Sequence, residues 1–190
     1  MKSTQYKNKI LKIIFCALFA ALTAVGAFIR IPIPAIPITL QTFFVMMAGL
    51  LLGPRLGAVS QLAYVAIGLL GLPVFTQGGG IGYVFQPTFG YLIGFCIGAY
   101  ITGVIAYKAP SPSYKRLLAA NFAGLAVVYI IGMIYVWVIN TYYVGTGIGL
   151  WALVLHCFIL VIPGDIVLCF IAALLAKRLI PAISNILPKT

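Results

Sequence analysis

The sequence predicts an all-α membrane protein of six transmembrane helices with both termini in the cytoplasm, and three observations carry that expectation. Hydrophobic residues fill 64% of the 190 positions and charged residues 7%, against about 45–50% and about 25% in soluble domains. The apolar residues fall into six runs punctuated by basic residues, glycines and prolines. The basic residues collect on alternate connections between the runs. Spans need about 20 apolar residues each, so the chain has room for a single membrane domain, residues 1–190, and none for a soluble catalytic one.

Residues 10–29 follow four lysines and give about 30 Å of apolar helix at 1.5 Å per residue. No small-residue cleavage site is followed by a soluble region, so a retained helix is expected, not a signal peptide. Ala17, Ala21 and Ala24 lie at i, i+4 and i+7, with Ala20 and Ala27 alongside. So smooth a face lets another helix approach closely, in the same bundle or in a partner protein. Arg30 to Pro37 carries alternate prolines and is expected as a stiff, non-helical loop.

The second run, 39–52, is short for an upright span, and Thr39 and Gln41 stand at its loop end. Gly53-Pro54-Arg55 marks a tight turn before the third run, 56–72. The glycine-rich stretch from Leu72 to Tyr83 lacks a following Lys-Ser or Lys-Thr, so it is expected to be a lid or pocket wall and not a nucleotide loop. In the fourth run, 88–107, Gly90, Gly94 and Gly98 make a groove for close helix packing. A Pro/Ser linker over 109–113 leads to the fifth run, 117–139, a Gly/Tyr-bearing loop at 140–149, and the sixth run, 151–176. Trp151, Tyr142 and Tyr143 have the character of interfacial anchors.

Six crossings with a cytoplasmic N-terminus place Lys2, Lys7, Lys9, Lys12, Arg55, Lys108, Lys115, Arg116, Lys177, Arg178 and Lys189 inside and Arg30 outside. Eleven against one follows the positive-inside rule. It also accounts for the net charge of +11 through the membrane faces, so no nucleic-acid partner is expected. The proline-rich, glycine-rich and 140–149 loops then share the external face.

Asp165, in the motif Pro163-Gly164-Asp165, is the one acidic residue of the chain. A carboxylate at membrane depth costs about 2.5–3.5 kcal/mol on insertion scales, so it is expected to face a protein-lined cavity. The competing reading is a helix-packing hydrogen bond. His156 lies nine residues away, on the opposite face of a continuous helix. Cys16, Cys96, Cys157 and Cys169 form no close pair, so no metal, disulfide framework or cofactor is indicated. Without an acid/base pair or an activated nucleophile, an enzyme is disfavoured. A stand-alone ion-driven carrier is disfavoured too, since coupling ions usually require several intramembrane carboxylates and many such carriers show inverted repeats.

The stretches Pro37-Ile38-Thr39-Leu40-Gln41-Thr42, Ala48 to Gly57, Gly71-Leu72-Pro73-Val74-Phe75, Pro87-Thr88-Phe89-Gly90-Tyr91 and Pro163-Gly164-Asp165 closely resemble the biotin-specific S component of energy-coupling factor transporters (BioY), in the same order from about residue 13 to 178. The resemblance implies a six-helix subunit in the bacterial plasma membrane that captures biotin from outside. Its partners would be a transmembrane coupling protein (T component) and two cytoplasmic ATPases. Ala17, Ala21 and Ala24 would form the docking face. The resemblance also implies that the glycine-rich loop, with Phe75, Gly79 and Tyr83, contributes to the ligand site together with Tyr91 and Asp165. Asp165 would accept a ureido N–H while Thr39, Gln41, Gln86 or Tyr91 satisfy the rest of the ring. Relatives commonly carry Lys where this chain has Leu168, and some carry Asn at Gly79. Arg30, or the backbone N–H groups of Gly78 to Gly82, is therefore the expected partner of the ligand carboxylate. A lipoate-like ligand is the alternative, but it leaves Asp165 without a use.

Overall fold

A computed structural model describes residues 2–31, 37–109 and 111–186. Pro32 to Ile36 of the proline-rich loop, Pro110 of the linker and Lys189 of the charge count lie outside the described residues. Helix α1 (Lys2–Phe28) leads through a two-residue antiparallel pair, β1 (Arg30–Ile31) with β2 (Ile38–Thr39), into α2 (Gln41–Leu69). A 3-10 turn (Ile81–Phe85) precedes α3 (Phe89–Ala106). Helix α4 (Tyr114–Val138) runs on into a π turn (Ile139–Val144), and α5 (Leu150–Val154) continues as a second π turn (Leu155–Ile159) ahead of α6 (Ile162–Ile186).

Five helical stretches among the described residues are long and apolar enough to cross a membrane. One of them, α2, is bent back on itself. Gly53 has φ 82° and ψ −178°, a conformation that suits glycine, and Pro54 follows it. In a straight helix, Gly49 and Gly57 would be about 12 Å apart, yet a Cβ on Gly57 would lie 3.0 Å from the Gly49 Cα. The two arms of α2, residues 41–52 and 54–69, therefore form a hairpin, in keeping with the tight turn expected at residues 53–55.

Helices α2, α3 and α4 form the centre. In α2 and α3, 61% of the apolar window is buried, against 33% in α1 and 28% in the stretch containing α6, so the outer two present most of their surface to lipid. Lipid offers no hydrophobic drive for helix association, so close contact must come from small residues. A Cβ on Gly90 would meet the Tyr135 side chain at 2.1 Å, one on Gly94 the Val128 backbone at 2.9 Å, and one on Gly98 the Val128 side chain at 2.7 Å. The glycine groove read from the sequence is the α3–α4 seam.

Two segments differ from expectation. Residues 140–149 are not wholly loop, since the helical turn continues to Val144 and stops at Gly145, whose φ is 74°. The run 151–176 is not one helix. Pro163 has no N–H, and in a continuous helix its ring would collide with the carbonyl of Ile159. The chain answers with a π turn, Leu160 N–H bonding to the Leu155 carbonyl at 3.1 Å, and then restarts as α6. Proline is tolerated in that first turn, where its missing N–H would have no helical partner. The opposite-face relation of His156 to Asp165, which presumes a continuous helix, therefore does not apply.

Candidate binding site

The restart places Asp165 in the first turn of α6, where the positive end of the helix dipole favours a carboxylate. The residue is 4% exposed and lies on the wall of a narrow cavity with about 530 Å³ of empty space, part of it open to solvent. Tyr129 of α4 donates a 2.6 Å hydrogen bond to Asp165 Oδ2. The other oxygen, Oδ1, is buried and makes no direct hydrogen bond among the described residues. Thr42 presents a hydroxyl from the same wall. An unpaired buried acceptor is costly, and the Thr42 hydroxyl is the described side chain that interacts with the carboxylate besides Tyr129.

Aromatic packing fixes the carboxylate's partner. The Tyr129 ring stands edge-to-face on Tyr91 at 6.2 Å and on Phe158 at 5.2 Å. Tyr91 is held in turn by its hydroxyl on the Cys157 carbonyl, 3.0 Å away, and its ring fills the space over Gly132, where a Cβ would come within 2.7 Å. Elsewhere on the cavity wall Gln41 Nε2 donates to the Tyr64 hydroxyl at 2.8 Å and Thr39 Oγ1 donates to Gln41 Oε1 at 3.2 Å. Nearer the 3-10 turn, the Tyr83 hydroxyl shares hydrogen bonds with Thr76 and Thr88, each at 3.0 Å.

Of the residues expected at the ligand site, Asp165, Thr39, Gln41, Tyr83 and Tyr91 line this cavity. Phe75, Gly79, Gln86 and Arg30 are not on its wall. Phe75 is 1% exposed and lies across Gly68, where a Cβ would sit 2.1 Å from the ring. Gly79 packs against the Leu72 carbonyl, with room for no Cβ, and the neighbouring Gly80 N–H bonds to the Gly68 carbonyl at 2.7 Å. Both residues pin the glycine-rich loop to the end of α2, giving a packed wall and not a loose lid. Gln86 is exposed and joins the 3-10 turn to α3 through its backbone. Arg30 donates to the Thr76 carbonyl, which places it beside a cavity residue at the rim. The Gly78 N–H is already spent inside the loop and the Gly80 N–H on the end of α2.

Sequence reasoning passed over Thr42, Thr76, Thr88 and Tyr129. A signal for Tyr129 exists, because Asn121, Gly124, Tyr129 and Gly132 share one face of α4 at about 100° per residue. A small-and-polar face on an otherwise greasy helix marks the side turned inward. Ala17, Ala21 and Ala24 border a separate, almost wholly apolar groove between α1 and the second arm of α2, with Leu56, Val59, Ala63 and Tyr64 opposite. Ala17 and Ala21 are exposed there.

A helical membrane protein with one buried carboxylate, half of it unpaired at the wall of a cavity lined by both polar and apolar side chains, and a separate open helix face belongs to the class of small-molecule-binding membrane proteins. The chain belongs to the BioY family, whose model matches residues 1–185. It is 48% identical over 169 residues, 89% of this chain and 86% of the relative, to the probable biotin transporter BioY of Lysinibacillus sphaericus. It is 41% identical over 132 residues, 69% of this chain and 75% of the relative, to the biotin transporter BioY of Thermotoga maritima. Its fold is similar to the crystal structure of the S-component for biotin from an ECF-type ABC transporter, with a TM-score of 0.79 and 28% identity over 90% of this chain and 91% of that one.

Proposed function

We propose that this chain is a biotin-capturing S component that takes its ligand from the external side for ATP-driven uptake by partner subunits. One observation carries the reading: the Oδ1 of buried Asp165, without a direct hydrogen bond among the described residues, at the wall of a cavity where hydroxyls, an amide and aromatic rings stand among aliphatic side chains. A ureido ring offers two N–H donors and one carbonyl. Asp165 Oδ1 takes one N–H and the amide of Gln41 answers the carbonyl, with Thr39, Tyr83 and Tyr91 on the surrounding wall. Arg30 meets the ligand carboxylate at the rim, where water screens part of the charge. Phe75 and Gly79 support the site from behind through the packed loop, and Gln86 sets the start of α3.

The hairpin at Gly53 divides α2 into two crossings and makes six in one domain, with both termini cytoplasmic in a bacterial plasma membrane. The distribution of basic residues supports that orientation. The groove at Ala17, Ala21 and Ala24 receives a helix of the T component, which carries the two ATPases. The test is calorimetric titration of biotin into the full chain in lipid nanodiscs. One-to-one binding at submicromolar Kd, about −8 kcal/mol or better, is expected, and absence of binding overturns the reading.

A further inference from the structure

Tyr64 stands between the cavity and the groove. Its ring forms part of the groove wall with Ala20, Ala21 and Val74. Its hydroxyl accepts the 2.8 Å hydrogen bond from Gln41 of the cavity and donates at 3.0 Å to the carbonyl of Val74. The Tyr64 ring is packed as well as bonded. The Tyr64 ring meets Phe75 edge-to-face at 5.4 Å, Phe75 packs on Tyr83 at 4.5 Å, and the Tyr83 hydroxyl joins Thr76 and Thr88 on the cavity wall. Tyr64 is 1% exposed. At interior packing density a side chain so enclosed cannot shift without moving its neighbours.

We propose that Tyr64 is a positioning residue that transmits occupation of the Asp165 cavity to the small-residue groove on α1. The inference rests on the reading of the cavity as a biotin site. Gln41 has two arrangements available. In the empty cavity its Nε2 is held by Tyr64. A ligand carbonyl arriving beside it draws the amide inward, and the Tyr64 hydroxyl loses its donor. The hydroxyl and the Val74 carbonyl it holds then reset together, and both residues belong to the groove wall. Coupling of this kind is reciprocal, so an occupant of the groove changes ligand affinity by the same factor that the ligand changes the groove.

The experiment uses the full chain in nanodiscs with Ala21→Cys as a reporter in the groove. Alkylation by a membrane-permeant maleimide is read at residue 21 itself by fragment mass spectrometry, with and without saturating biotin, while calorimetry follows binding in the same samples. With Tyr64 present, biotin changes the alkylation rate about five-fold or more, the lower end of typical coupling. In Tyr64→Phe, biotin still binds and the ratio of rates falls to about one. Phe75→Leu keeps both hydroxyl bonds, and the ratio persists. Three results overturn the proposal: the same ratio in Tyr64→Phe, a ratio of one in the parent despite measured biotin binding, or loss of biotin binding in Tyr64→Phe, since a residue off the cavity wall that only transmits is not required for capture. No biotin binding in the parent overturns the reading of the cavity itself, and the coupling with it.

Discussion

Tyr129 and Asp165 lie 36 positions apart in sequence and meet at 2.6 Å, phenol to carboxylate, inside the membrane-spanning part of the chain. The bond settles one carboxylate oxygen and leaves the other without a direct hydrogen bond among the described residues, with the Thr42 hydroxyl close by. Removing the phenol leaves the carboxylate with two unmet acceptors and a freer rotation. Tyr129→Phe should weaken biotin binding by about 10-fold or more, from the 1.5–3 kcal/mol typical of hydrogen bonds to charged groups. Titration calorimetry reads this directly. Affinity equal to that of the parent would remove Tyr129 from the site.

Asp165→Asn keeps the shape of the side chain and exchanges an acceptor-only group for one that also presents N–H donors. One amide arrangement faces the Tyr129 hydroxyl with a donor, the other faces the ligand N–H with a donor. In the first the hydroxyl turns to accept and only charge assistance is lost, in the second the ligand N–H meets no acceptor, and affinity should fall by at least about 10-fold, roughly 1.4 kcal/mol. Unchanged binding would sink the role given to Asp165.

Arg30→Ala probes the rim. A partly screened ion pair is worth about 0–1 kcal/mol, so biotin should bind about three-fold more weakly while biotin amide binds as before. Equal affinity of the parent for biotin and its amide, with no change in Arg30→Ala, would place the carboxylate elsewhere.

Ala21→Trp fills the open groove without touching the cavity wall. Biotin should still be captured, with an affinity shifted no further than the coupling through Tyr64 allows, while copurification with the T component and cellular uptake should both fail. Loss of ligand binding or of a monodisperse fold, with assembly intact, would assign that face to the internal bundle.

Gly103 tests the packing that holds the α2 hairpin closed. A Cβ there would lie 2.4 Å from the Pro54 backbone nitrogen, and backbone cannot rotate aside as a side chain can. Gly103→Ala should destabilise the fold by about 1–3 kcal/mol, the usual range for overpacking, and lower the thermal midpoint in detergent. Gly82→Ala, at a position with no atom within 4 Å of the added Cβ, serves as the control.

Much of this architecture is legible in the sequence because the bilayer enforces it. Apolar length, the reversal at Gly53-Pro54 and the glycine seam on α3 each follow from a rule that tertiary context does not override. The site is legible only where polarity is out of place, as at Asp165, Thr39 and Gln41. Tyr129 escapes notice because an aromatic residue in an apolar run looks like core until its hydroxyl is given a partner on another helix. Gly79 stands off the cavity wall for a different reason. Its lack of a side chain suits close backbone approach in general, and the approach it permits is to Leu72 within its own loop. The break before Pro163 was available from the proline alone.

The position of Asp165 at the head of α6 sets how far a captured molecule travels. Twelve residues separate it from Lys177, about 18 Å along the helix axis, more than half of a hydrocarbon core about 30 Å thick. Among the described residues, the inner face of α6 below it is packed. Cys169, Ala172, Ala173 and Ala176 are wholly buried, and Asn121 ties α4 to the Cys169 carbonyl at 2.9 Å. Cargo that enters from the loop side meets this packed floor, so on the proposed reading capture and delivery are separate events.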